Sequence, residues 1–123
     1  MLAYIALGGV LGTVARYGLQ GFLQERAGTI LPLGTVVVNV IGSFALGFVL
    51  KFATGSTLLS PEWRAGIAVG FCGAFTTMST FSYETLALLY DGEYWRAGIY
   101  AGGTLAGCFG AVWLGMRLAG LLL

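Results

Sequence analysis

The sequence contains no histidine, only two cysteines and two prolines, and few charged residues. The lack of histidine removes the commonest metal ligand and the usual proton shuttle near neutral pH. Cys72 and Cys108 lie far apart inside apolar segments. They match no metal-binding motif, and we interpret them as buried, reduced thiols. Charged residues make up only 9% of the chain, whereas about a quarter is usual in soluble domains. This composition excludes an ordinary soluble domain.

What the chain has instead is long apolar sequence. Hydrophobic residues make up 58% of the 123 residues, and the runs 27–50 and 97–116 contain no charge. Since roughly 20 apolar residues cross a bilayer, we expect a single all-α transmembrane domain with spans at about 2–22, 32–54, 64–90 and 95–121. The first of these lacks the basic start of a signal peptide, so we interpret it as a helix of the mature protein. The net charge of +1 comes without a basic cluster, so we do not expect nucleic acid as a partner.

Polar residues recur inside three of the four predicted spans. In the second span, Thr35, Asn39 and Ser43 are spaced every four residues and therefore share one helical face. A carboxamide in the bilayer either joins helices or presents its NH₂ donors to a solute, and both interpretations of Asn39 remain open. The fourth span repeats the spacing with Tyr100, Thr104 and Cys108. With the hydroxyl groups of the third span, these stripes favour a solvated path.

The third apolar segment contains the stretch Gly70–Glu84, GFCGAFTTMSTFSYE, in which hydroxyl residues and an acid follow two glycines. As one straight helix, the segment 64–90 would be roughly 40 Å long, against a hydrocarbon core of about 30 Å. We therefore predict a break between Gly73 and Met78. Broken helices at membrane depth survive only beside protein, water or an ion, and they mark binding sites in transporters.

Two other features of the spans carry predictions. Arg16 lies inside the first span, where a guanidinium needs water, a partner or an anion unless it reaches the membrane interface. Glycines at helical spacing predict faces of close helix packing in the first and fourth spans. These are Gly8, Gly9 and Gly12, and Gly98, Gly102, Gly103 and Gly107.

Basic residues are nearly balanced between the two ends of the predicted spans. Lys51, Arg64 and Arg117 lie on one side of the membrane, and Arg26 and Arg96 lie on the other. Because an excess of Lys and Arg sets orientation, this balance permits insertion both ways round. Four helices are few to enclose a path, so we expect a two-fold dimer, for which an antiparallel arrangement is then possible.

The motifs GGVLGTVARY, GTVVVNVIGSFALG and GFCGAFTTMSTFSYET, in this order, resemble fluoride channels of the CrcB/Fluc family over nearly the whole chain. The resemblance implies a fluoride-selective channel, not an enzyme, that gives passive fluoride efflux and resistance to fluoride toxicity. It further implies a multi-pass protein in the bilayer of a prokaryotic cell (inner) membrane, assembled as an antiparallel, dual-topology homodimer. A structural sodium ion would lie at the dimer centre.

The resemblance also assigns roles to individual residues. The backbone carbonyls of Gly73 and Thr76 would hold the sodium ion, and Arg16 would lie at the vestibule. Met78 and Phe81 match two pore phenylalanines, so the methionine departs from the family. Methionine has no ring with a positive edge, and we expect fluoride conduction to survive at an altered rate. The other pore residues would be Thr35, Asn39, Ser79, Thr80, Glu84, Tyr100, Thr104 and Cys108.

Three other functions remain open, two from the residues themselves and one within the family that the chain resembles. A proton-coupled exporter of the small multidrug type would use Glu84, the only candidate carboxylate, which lies toward the end of the third span, to exchange a proton with its substrate. A non-transporting assembly subunit would use the polar stripes only to join helices. Fluoride transport coupled to protons is the third.

Overall fold

The computed structural model describes all 123 residues, Met1–Leu123, and is entirely helical. Helix α1 comprises Leu2–Ala27, and α2 comprises Leu33–Gly55. The next helix, α3, is built from Pro61–Ala65, the π-helical segment Gly66–Cys72 and Gly73–Phe75. After two extended residues, α4 comprises Met78–Tyr90, and α5 comprises Tyr94–Leu121.

Four helical segments are long and apolar enough to cross a membrane: α1, α2, the combined segment Pro61–Tyr90, and α5. The prediction of four helices with an interruption in the third is confirmed, and the interruption lies inside the predicted interval. The π-helical turns before it were not predicted, because their sequence, GIAVGFC, differs little from that of an ordinary apolar helix. Such turns occur often at functional sites.

The helix ends follow from local chemistry. Helix α1 continues to Ala27, beyond the predicted end near Phe22, because Gly28 is the first residue to take a left-handed conformation, with φ of 60°. Helix α3 begins where the Ser60 hydroxyl accepts a hydrogen bond from Trp63 N–H and Pro61 occupies the first turn.

Glycine allows the helices to touch backbone to backbone. A Cβ atom on Gly8 or Gly12 of α1 would overlap a carbonyl oxygen of α3, and one on Gly70 of α3 would overlap the Ile5 carbonyl. Gly47 and Gly115 make the same kind of contact between α2 and α5. Such contacts supply the dispersion energy that holds membrane helices together, and they agree with the prediction for Gly8 and Gly12.

The corresponding prediction for the fourth span is wrong within the protomer. A Cβ atom on Gly98, Gly102 or Gly103 would meet nothing within 4 Å, and only Gly107 has a neighbour, Val40, at 3.3 Å. The physical reason is that α5 packs against α2 through a different face, the one that contains Gly115. The three other glycines therefore form an open surface.

The packing leaves most large apolar side chains on the outside. Leu2, Tyr17 and Leu58 are examples with more than four-fifths of their surface exposed, as suits a molecule surrounded by lipid. The one ion pair, between Arg96 and Glu93 at 2.6 Å, lies at the start of α5. Polar groups inside the molecule are therefore held by hydrogen bonds, either between neutral groups or to one charged side chain, and not by ion pairs.

Candidate functional site

The candidate site begins at the break between α3 and α4. Thr76 and Thr77 are both extended, with φ/ψ of −94°/159° and −151°/112°. The Thr77 N–H donates to Asn39 Oδ1 at 2.7 Å, and Asn39 Nδ2 donates to the Thr77 carbonyl at 3.2 Å. Thr77 then caps α4, since its hydroxyl accepts from the Thr80 N–H at 3.2 Å. A side chain of α2 thus replaces the backbone partners that Thr77 loses.

These substitute bonds determine which carbonyls are left free. In a continuous helix the Gly73 carbonyl would accept from the Thr77 N–H, and the Thr76 carbonyl from the Thr80 N–H. Here Asn39 and the Thr77 hydroxyl take those two N–H groups. The carbonyls of Gly73 and Thr76 therefore have no helical partner and are available to another group.

Arg16 reaches the same break from α1. Its Nε donates to the Ala74 carbonyl at 3.0 Å. In an unbroken helix, Ala74 would accept from the Met78 N–H instead, so the guanidinium satisfies a third freed carbonyl. The half-buried Arg16 therefore has a fixed partner inside the protein, and it does not extend only to the membrane interface.

A groove of about 290 Å³ runs beside the break, and we call it the central groove. Its lining contains no charged side chain. Hydroxyl, amide, thiol and backbone groups are interspersed with apolar ones. The lining residues are Asn39, Gly42, Ser43, Leu46, Ala68, Cys72, Gly73, Thr76, Thr77, Met78, Phe81, Thr104, Leu105, Cys108 and Phe109.

One polar group in the central groove has no partner. The Thr104 hydroxyl is buried, with the residue only 4% exposed, and makes no hydrogen bond. A buried hydroxyl without a partner is costly, by roughly 1–3 kcal/mol, unless something in the groove completes it. The two groove residues that match the pore phenylalanines differ in exposure, since Phe81 is 7% exposed and Met78 is 67% exposed.

A second polar cluster lies behind Phe81, and we call it the Glu84 cluster. Glu84 Oε1 accepts hydrogen bonds from the Thr35 hydroxyl at 2.6 Å and from the Tyr100 hydroxyl at 3.1 Å. The Phe81 and Tyr100 rings are in contact, with centroids 5.3 Å apart. Gln20 on α1 completes the cluster by donating to Thr35 Oγ1 at 2.7 Å. The cluster joins four helices, α1, α2, α4 and α5.

The predicted site residues therefore fall into two neighbouring groups. The central groove contains Asn39, Gly73, Thr76, Met78, Phe81, Thr104 and Cys108, and the Glu84 cluster contains Thr35, Glu84 and Tyr100. Three predicted residues belong to neither group. Arg16 contacts the break from α1, Ser79 is exposed, and Thr80 is half-buried at the start of α4.

Sequence reasoning missed Gln20. Its signal was available, since Gln20 follows Arg16 by four residues inside the same apolar span and so lies on the same helical face. The two cysteines are both free, Cys72 buried and Cys108 half-buried, and both line the central groove.

The fold and the site define the class, a multi-pass helical membrane protein whose third span is broken beside an uncharged groove that mixes polar and apolar groups. Residues 3–116 match the family described as CrcB-like protein, Camphor Resistance (CrcB), and the chain belongs to this family.

Three curated relatives carry the name "Fluoride-specific ion channel FluC". The relative from Geobacter sulfurreducens is 46% identical over 115 residues, which are 94% of this chain and 93% of that protein. The relative from Acidobacterium capsulatum is 47% identical over 113 residues, 92% of this chain and 90% of that protein. The relative from Opitutus terrae is 47% identical over 114 residues, 91% of this chain and 86% of that protein.

Proposed function

We propose that this chain is a fluoride channel of a cell membrane, which lets fluoride leave the cell down its gradient. The observation that carries the proposal is the central groove, which lies at a helix break, has no charged side chain and mixes polar with apolar groups, and whose lining residue Thr104 has a buried hydroxyl without a partner. The name shared by relatives of 46% and 47% identity supports fluoride as the ion.

The chemistry of the groove suits a small, strongly hydrated anion. A pore for such an ion must replace water with hydrogen-bond donors, and the Asn39 NH₂ group and the Thr104 hydroxyl supply them. The positive edge of the Phe81 ring offers a further contact. Because no cation lines the groove, the ion is not held by an opposite charge and is able to leave. Arg16 contributes positive potential from outside the groove.

The protomer is half of the conducting unit in this proposal, and a second copy covers the open surfaces. Gly73, at the break, and Gly98, Gly102 and Gly103 of α5 all have open space where a Cβ atom would point. A two-fold partner would bring a second set of such surfaces against them. The near balance of basic residues supports an antiparallel arrangement.

Topology is measured directly with a labelled loop. Leu58 is 84% exposed between α2 and α3, so Leu58→Cys in a Cys72→Ser, Cys108→Ser background reports the side of the membrane. Dual topology predicts that an impermeant thiol reagent labels about half of the protein in intact cells. Labelling of all or none of it would reject the antiparallel dimer.

A sodium ion fits the carbonyls that the break releases. Gly73 and Thr76 lose their helical N–H partners to Asn39 and to the Thr77 hydroxyl, and hard cations prefer oxygen ligands, backbone carbonyls among them. We propose that these two carbonyls from each protomer hold the ion. Its role would be structural, since it would neutralise four partial negative charges that otherwise face each other at the dimer centre.

The proposal is tested with the purified protein in liposomes loaded with potassium fluoride. A fluoride electrode should register rapid efflux when the potassium ionophore valinomycin removes the opposing voltage. Liposomes loaded with chloride are the control and should show far slower chloride loss. Absence of fluoride efflux from vesicles that contain folded protein would favour a non-transporting assembly subunit instead.

A further inference from the structure

Gln20 is a half-buried polar residue of the first span that the proposed channel does not yet use. It lies on α1, one turn after Arg16, and bonds to residues on both sides. Arg16 Nη1 donates to Gln20 Oε1 at 3.4 Å, a long bond, and Gln20 Nε2 donates to Thr35 Oγ1 at 2.7 Å, a short one. Thr35 Oγ1 in turn lies 2.6 Å from Glu84 Oε1.

The donor and acceptor inventory gives this chain of bonds one direction. A guanidinium only donates, so the Gln20 oxygen faces Arg16 and the Gln20 NH₂ group faces Thr35. An amide nitrogen also only donates, so the Thr35 oxygen is an acceptor on that side. Its single hydrogen is therefore directed at Glu84. Each bond thus orients the next, from the cation at the break to the carboxylate of the Glu84 cluster.

We propose that Gln20 is a positioning residue of the conduction path. By orienting the Thr35 hydroxyl, it holds the Glu84 carboxylate beside the Tyr100 hydroxyl, which contacts the same oxygen at 3.1 Å. The Tyr100 ring packs against Phe81 at the central groove. Gln20 therefore acts on the groove through Thr35, Glu84 and Tyr100 without touching the ion. This inference rests on the proposed fluoride channel.

The test compares Gln20→Met, which keeps the length and removes the donor, with the wild-type full-length protein in liposomes. Loss of a hydrogen bond in a chain that ends on a carboxylate should lower fluoride efflux per folded protein by about tenfold. Gln20→Glu should lower it as well, because a carboxylate accepts from Arg16 but cannot donate to Thr35. Efflux equal to that of the wild type in either variant would overturn the proposal.

Gln24 provides a matched control on the same helix. It donates to the carbonyls of Thr29 and Leu31 and accepts from the Gly34 N–H, so it holds the α1–α2 connection. Gln24→Met should lower the melting temperature and leave efflux per folded protein within about twofold of the wild type. An equal loss of efflux in Gln24→Met would mean that the effect of Gln20 is general destabilisation, which would overturn the proposal.

A double-mutant cycle separates positioning from packing. Thr35→Val removes the hydroxyl at constant shape, so in this background Gln20→Met should cause no further loss of efflux. Additive losses would contradict action through Thr35.

An infrared measurement supplies a readout independent of transport. The wild type and Gln20→Met are each compared with the same protein carrying Glu84→Gln, and each difference spectrum isolates the Glu84 carboxylate band. The band of Gln20→Met should be shifted from that of the wild type. An unchanged band would overturn the positioning role even if efflux falls. If the wild type itself passes no fluoride, the proposed function fails while the infrared comparison still decides whether Gln20 positions Glu84.

Discussion

Asn39 and Thr77 are joined by two hydrogen bonds that run in opposite directions. The Thr77 N–H donates to Asn39 Oδ1 at 2.7 Å, and Asn39 Nδ2 donates to the Thr77 carbonyl at 3.2 Å. An asparagine side chain therefore imitates a backbone amide and pairs with the residue at which the third span is interrupted. The two interpretations of Asn39 that the sequence leaves open are compatible, because the amide nitrogen has a second hydrogen that remains for a solute.

Substitution of Asn39 should separate these two roles. Asn39→Asp still accepts from Thr77 N–H but cannot donate, and it places a negative charge in the central groove, so we expect folded protein without fluoride efflux. Asn39→Leu leaves the half-buried Thr77 N–H without its partner and should lower stability by about 1–3 kcal/mol. Efflux and thermal melting in detergent measure the two effects.

Ser43 is the control for Asn39. It lies one turn further along α2, also lines the central groove, and makes no side-chain hydrogen bond to the break. Ser43→Ala should therefore melt within about 0.5 kcal/mol of the wild type. A stable Asn39→Leu variant would show that the bidentate pair is not what holds the break.

Arg16→Lys should show whether the guanidinium acts only through its charge. Lysine keeps the charge but lacks the planar group with which Arg16 donates to Ala74 and Gln20 together. We expect a loss of stability of about 1–3 kcal/mol and a fall in fluoride efflux, although positive potential at the site is retained. If Arg16→Lys matches the wild type in both melting and efflux, electrostatic attraction alone accounts for the residue.

Phe81 should be the essential ring of the groove and Met78 the dispensable side chain. Phe81 is 7% exposed and packs on Tyr100, whereas Met78 is 67% exposed in the protomer. Phe81→Ile removes the ring edge and its aromatic contact, and efflux should fall by about tenfold or more. Met78→Phe restores the residue expected from the family and should change efflux less than about threefold. The reverse ranking in liposome efflux would contradict this assignment.

The sequence predicts the number and position of the helices better than the contacts between them. The charge-free run 27–50 covers most of the second span, Leu33–Gly55, so local composition predicts that span, and the hydroxyls after Gly73 mark the break within a few residues. By contrast, the bond from Arg16 to Ala74 spans 58 positions and depends on how α1 packs against α3. Gly98 and Gly12 look alike in sequence, yet only Gly12 meets a neighbouring backbone, because spacing alone does not say which face is covered.

Two glycines of α1 provide a matched test of backbone packing. A Cβ atom on Gly12 would overlap the Phe71 carbonyl, whereas one on Gly18 would meet nothing within 4 Å. Gly12→Ala should therefore cost about 1–3 kcal/mol through overpacking, and Gly18→Ala should be neutral or slightly stabilising because alanine favours the helix. Melting temperatures of the purified variants decide the matter. Equal melting of both would show that α1 and α3 can separate at no cost.

The reversal potential of the fluoride current should distinguish a channel from a proton-coupled transporter. Glu84 is held by Thr35 and Tyr100 outside the lining of the central groove, so we expect that no protein group carries a proton along with the ion. With a fixed fluoride gradient across a planar bilayer, the current should reverse at the fluoride equilibrium potential whether or not a pH gradient is added. Exchange of one fluoride for one proton moves two charges and would displace the reversal by an amount that depends on the pH gradient, whereas symport of one proton with one fluoride is electroneutral and would give no current. The current that remains in Glu84→Gln should reverse at the same potential, whatever its size. A displacement that disappears in this variant would identify Glu84 as the proton carrier and replace the channel with an exporter.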